Sequence, residues 1–271
     1  MYIYYRKDVM KRVLMTGTLI LALIANAHAA DILQEANDWY ARRGTNFDSK
    51  TLKADSTYIQ EALDLYLKAF EQFSGVKKEE ACWKLIRACY FKGQFVETEN
   101  DAKKRVFDLG KNVGAEGLKE FSESVGIHAW MAIIWGVWGE ENGIIQSARK
   151  GVAGRIREHC EKVIERDKTF QDATGYRVLG RLHFKAPKIP LILSWPSKEK
   201  AVEYLEKAHR ISSQNLYTKQ YLAEALYERG QEDRAKELLR EILATNEIVL
   251  GIVEDAVIKR NSLEILHKWE N

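Results

Sequence analysis

Apolar residues recur along this chain at the three-to-four spacing of amphipathic helices, and sustained two-residue alternation is lacking. The segments "YIQEALDLYLKAFEQF", "KAVEYLEKAHRIS" and "EDRAKELLREILA" each place an alanine and then a bulky apolar residue four later: Ala62 and Tyr66, Ala201 and Leu205, Ala235 and Leu239. The first two add a second alanine, Ala69 or Ala208, where the third has Ile242. "WKLIRACYFKGQF" and "QYLAEALYERGQE" align on Gly93 and Gly230, near which each helix is expected to end, with Tyr90 and Tyr227 three residues earlier. In tetratricopeptide-like repeats, small residues admit a neighbouring helix and bulky ones fill the groove between hairpins. The pattern predicts an all-α fold in which degenerate tetratricopeptide-like helical hairpins form a compact solenoid. The hairpins fall near residues 32–73, 79–121, 125–167, 176–211 and 217–245, with a C-terminal capping helix near 248–269.

One stretch departs from this pattern. The chain's three prolines, Pro187, Pro190 and Pro196, all lie in "APKIPLILSWP", between the two helices of the fourth hairpin. Proline fixes φ and biases its predecessor towards extended backbone, so a stiff apolar insert is expected. Such an insert should cover the solenoid groove as a lid or contact a ligand or partner.

The amino terminus changes the reading of charge. Residues 1–29 read as a secretory signal peptide: Lys11 and Arg12 precede an apolar run, and Ala27-His28-Ala29 offers a cleavage site before Ala30. Met10 begins a tidier leader than Met1 does. The whole chain has 42 basic and 39 acidic residues; a leader carrying four bases and one acid leaves 38 of each in residues 30–271. A balanced domain of this kind has no electrostatic case for nucleic acid. Three cysteines leave at least one thiol unpaired. Cys82 and Cys89, on one helix, would stand roughly 10 Å apart, too far for a disulfide.

No nucleophile elbow, phosphate loop, metalloprotease helix or dinucleotide fingerprint occurs, so no catalytic residue, cofactor or metal ligand is assigned. The adjacent His159 and Cys160 point about 100° apart on a helix, so a packed cysteine beside a solvated histidine is expected. "HAWMAIIWGVWGEENG" is apolar nearly all round, as in a central core helix or a pocket wall. Its Trp130, Trp135 and Trp138, with Trp195 of the insert, are candidate apolar ligand contacts. Tyr176 and Arg177 are candidates for the polar end of a ligand, although Arg177 and Arg181 could instead pair with acids structurally.

The segment "VIERDKTFQDATGYRVLGRLHFKAP", followed by the insert and "SKEKAVEYLEKAHRIS", resembles the TatT component family, the tetratricopeptide-type T-component associated with TRAP transporters. The similarity is strongest over residues 136–243, and specific at Arg177-Val178-Leu179-Gly180-Arg181 and Ala186-Pro187. It implies a periplasmic protein whose repeats surround an apolar cavity. It also implies a TRAP solute-binding protein as partner, a hydrophobic small molecule as ligand and a homo-oligomer as an option. No lipobox cysteine is present, which favours a soluble periplasmic form. The alternative is a tetratricopeptide interaction scaffold with no small-molecule site.

Overall fold

Alanine and glycine set the spacing of the helices. In the computed structural model, which describes residues 32–188 and 193–271, Ala62, Ala69, Ala201, Ala208 and Ala235 are fully buried, as are Tyr66, Leu205, Leu239 and Ile242. Eleven helices are present among the described residues: α1 (32–41), α2 (Ser56–Gln72), α3 (Gly75–Phe95), α4 (Asn100–Glu120), α5 (Val125–Arg149), α6 (Val152–Asp167), α7 (Phe170–Lys185), α8 (Lys198–Ile211), α9 (Leu216–Tyr227), α10 (Glu232–Ala244) and α11 (Ile252–Glu270). The leader and its cleavage site lie outside the described residues, as do Ile189 to Ile192 of the insert. No described helix is long and apolar enough to cross a membrane.

Local chemistry starts several helices where polar side chains take up free N–H groups. Asp55 accepts from the Thr57 amide, Ser124 from Ile127, Ser197 from Lys200 and Asn215 from Thr218. Gly230, at φ 77°, turns the chain after α9. Its sequence counterpart Gly93 does not end a helix, because α3 runs on to Phe95. Gly93 instead gives up its side-chain volume to the buried Phe107 ring of α4. α7 begins before the expected position 176, but Gln171, Asp172 and Ala173 have positive φ, so regular helix starts only after this left-handed turn.

Successive helices pack antiparallel as hairpins, and each odd-numbered helix from α3 to α11 also touches the next odd-numbered one. That second set of contacts curves the stack and turns α3, α5, α7, α9 and α11 towards its inner side. One apolar cluster runs from α1 to α7 and a second from the end of α7 to α11, yet Val253 of α11 belongs to the first. The two ends therefore meet. Beyond α1, Arg43 donates from Nη2 to Glu254 at 2.7 Å and to the Leu250 carbonyl at 3.1 Å. Tyr227 stacks on Trp269 at 3.9 Å, so α11 caps α9 as well.

Of three Glu residues placed four before a Lys or Arg on α8 and α10, two pair along their own helix. Glu203–Lys207 and Glu232–Lys236 form at 2.6 and 3.3 Å, whereas Glu206 turns to Arg234 of α10 at 2.5 Å rather than to Arg210. All three cysteines are free and buried. Burial pushes the Cys82 and Cys89 thiols up to about 12 and raises Cys160 further still, so none supplies a thiolate.

The two kinds of helical glycine should respond oppositely to a methyl group. Gly93→Ala forces the Phe107 ring to move and is expected to lower unfolding free energy by about 1–3 kcal/mol. A Cβ at Gly136 of α5 meets nothing within 4 Å. Gly136→Ala should therefore raise stability by up to about 1 kcal/mol through helix propensity alone. Urea denaturation of the two variants checks both signs.

Candidate functional site

The curvature leaves a cavity of about 710 Å³ on the inner side, walled by α3, α5, α7, α9 and α11, the start of α6 and both ends of the insert. On α5, Trp130, Ile133, Val137 and Glu140 face it, one helical stripe at i, i+3, i+7 and i+10. Ile156, Val178, Leu182 and Val257 continue the apolar lining from α6, α7 and α11. Gly136 lies in the same wall with open space above its Cα.

Helix phase separates the candidate tryptophans. Trp130 lines the groove, but Trp135 and Trp138 are turned roughly 140° and 80° from it at 100° per residue. Trp138 donates from Nε1 to Asp108 of α4 at 2.9 Å, and Lys111 sits 4.0 Å over its ring. Trp135 lies edge-on to Trp138 and carries Arg155 of α6 at 5.1 Å. The all-round apolar run thus serves two jobs, groove wall on one side and packing between α4 and α6 on the other. Tyr176 also faces away, stacked on Tyr204 of α8 at 6.2 Å.

Trp195 and Arg177 do reach the groove. His183 of α7 accepts the Ser197 amide at Nδ1, 3.1 Å away, and its ring meets the Trp195 indole edge-to-face at 5.0 Å. Arg157 covers Trp195 at 5.2 Å. Pro196 is buried, and Pro187 and Leu193 join Trp195 along the rim, so the described ends of the insert stand against the groove wall.

Arg177, Arg181 and Lys185 occupy one stripe of α7 at four-residue intervals, and all three line the cavity. Arg181 pairs with Glu224 of α9 at 2.9 Å and lies 4.1 Å over Tyr221. Arg177 has no such partner: among the described residues no carboxylate lies within 4 Å of it. Its guanidinium donates to the Asp172 carbonyl at 2.8 Å, Thr174 Oγ1 at 2.9 Å and the Gln171 carbonyl at 3.4 Å, bracing the left-handed turn. Burial lowers its pKa, but arginine stays charged.

Three tyrosines supply hydroxyls that residue patterns alone did not single out as site groups. The Tyr90 and Tyr217 hydroxyls are 3.3 Å apart, joining α3 to α9, and Tyr221 lies one turn beyond Tyr217. Burial raises all three pKa values, so they remain neutral donors and acceptors. Their i, i+4 spacing on α9 was visible, but the approach of α3 from 127 residues away was not.

Away from the groove, His159 is not solvated as expected: it lies half-buried against His128. His128 Nε2–H donates to the Ser122 carbonyl at 2.9 Å, which leaves Nδ1 to accept from His159 Nδ1–H at 2.8 Å. Among the described residues no cluster of three or more His, Cys, Asp or Glu could hold a metal ion.

With this geometry in hand, comparison with known proteins decides the family. Residues 46–270 match the family described as Regulator of microtubule dynamics protein 1-3. The chain belongs to that family. A curated relative, Regulator of microtubule dynamics protein 1 of Bos taurus, is 25% identical over 181 residues, which are 63% of this chain and 56% of the relative. The chain thus spans little more than half of that relative's length. Among solved structures, a thermophilic TPR protein of Thermus thermophilus is similar at a TM-score of 0.57 and 14% identity, covering 87% of this chain and 99% of that one. That likeness shows the helical-repeat fold.

The family overturns the resemblance to TRAP transporter T-components, and with it the TRAP solute-binding protein as partner and the carriage of a hydrophobic small molecule for transport. The residues that carried the resemblance have packing and turn-bracing roles here. Gly180 admits Leu205 of α8, whose Cγ would lie 2.6 Å from a Cβ; Arg177 braces a turn; Leu179 is core. Hairpin geometry asks for such residues whatever the protein's role.

Neutral histidines make the fold acid-sensitive. Burial first, then neighbouring positive charge, holds His159 and His183 down to about 4, and burial lowers His128. Each binds its proton more readily when unfolded, so stability is complete above about pH 6.5 and falls as pH drops towards 4. The urea midpoint should decline across that window, and His159→Asn should flatten the decline.

Proposed function

We propose that this protein is an interaction scaffold whose inner groove grips a segment of a partner protein. The observation carrying this reading is the composition of the wall. Apolar side chains share it with two amides that have no partner of their own: neither Gln94 nor Asn261 bonds another group through its side chain among the described residues. A peptide presents the matching pair of features, apolar side chains and a backbone that needs hydrogen bonds. Repeat arrays use their concave faces in this way.

The relatives' description supports microtubules or their associated proteins as the source of that partner. Gly136→Trp places an indole in the open groove without disturbing the packed face of α5, and so separates binding from folding. In co-sedimentation with polymerised tubulin, the parent protein is expected in the pellet and the Gly136→Trp protein in the supernatant. Equal pelleting of both would move the contact off the groove. Failure of both to pellet would remove tubulin as the partner.

A further inference from the structure

We propose that the segment held in the groove is acidic as well as apolar, and that one of its carboxylates pairs with Arg177. This rests on the groove being a peptide site, and it names the chemistry that site selects.

Charge on the wall is lopsided. Arg177, Arg181 and Lys185 line it, against Glu140 as the only acid among the described lining residues. Arg181 is already neutralised by Glu224. The nearest candidate for Arg177, Asp172, directs its carboxylate elsewhere, accepting from Ser212 Oγ at 3.0 Å and Asn215 Nδ2 at 3.1 Å. Arg177 therefore meets only neutral acceptors. Its three hydrogen bonds use Nη1 and one Nη2 proton, leaving Nε–H and a second Nη2 proton to offer. A partly desolvated cation with no ion pair in direct contact, held only by the more distant Asp172, is costly, and an incoming carboxylate relieves that cost. Lys185, exposed further along the same stripe, adds attraction for a second acid.

The neutral part of the wall agrees. Trp130 is 91% buried, and its indole N–H finds no acceptor among the described residues. The apolar stripe of α5 beside the basic stripe of α7 fits a segment that interleaves acidic and aromatic or aliphatic residues.

Arg177 also braces the turn at Gln171 and Asp172, so its substitution alone does not separate recognition from structure. A random peptide library displayed on phage supplies the probe: it is selected on the intact protein and counter-selected on Gly136→Trp. The enriched sequences are expected to combine Asp or Glu with aromatic or aliphatic residues. A selected peptide should then lose about tenfold in affinity on Arg177→Gln, while its copy with amides in place of carboxylates should be nearly indifferent to that change. Lys185→Gln, which breaks no contact within the protein, should cost the acidic peptide a smaller factor.

Groove-dependent peptides with no acidic bias, or equal sensitivity of the acidic and amide peptides to Arg177→Gln, would overturn the charge assignment and leave the groove reading intact. If no peptide distinguishes the intact protein from Gly136→Trp, or if only lipid vesicles do, both would fall.

Discussion

Three glycines spaced one turn apart on α4, at positions 110, 114 and 117, have no side chain where α3 and α5 press in. Cys89 and Ile134 approach the first, Met131 and Ile86 the second, and Cys82 and Ile127 the third. A larger residue at any of them would push the central hairpin outward, and the inner curvature that makes the groove depends on that hairpin staying close. Gly93 and Gly180 do the same work at neighbouring crossings. Protein interiors pack at crystal-like density, so these close approaches set where each hairpin sits against the next.

From that spacing follows closure. Five hairpins and a cap curve far enough for α11 to reach the N-terminal half, where Val253 enters the first core and Arg43 grips Glu254. The Tyr90–Tyr217 contact spans the interior from α3 to α9. The Arg43–Glu254 ion pair is weak evidence of net stability, because desolvation offsets much of the attraction. Its geometric effect is clearer: it holds the two ends in register and so sets the width of the groove.

The resemblance to a transport component shows how local signals are shared. Arg177-Val178-Leu179-Gly180-Arg181 reads as a specific motif, yet three of its positions answer to the hairpin: a core leucine, a glycine under Leu205, an arginine bracing a turn. Residues selected by packing recur wherever that packing recurs. They carry fold from one family to another without carrying function. The match across residues 46–270 is informative for another reason, since it runs through almost every hairpin at once.

By itself the amino-acid sequence determined the helices, their pairing into hairpins, the buried alanines and the separation of the cysteines, because these depend on neighbours three, four or seven residues away along one helix. It also marked the insert and three eventual residues of the groove wall, Trp130, Trp195 and Arg177. Only the tertiary structure decided which face of the α5 helix meets the groove, setting Trp130 apart from Trp135 and Trp138. The same is true of Tyr90 opposite Tyr217, His128 against His159, and an arginine left without an acid while its neighbour one turn away has Glu224. Those outcomes depend on the angle at which distant hairpins cross. A helix that is apolar on every side, or basic along a full stripe, does not encode which of its faces the neighbouring helices will cover.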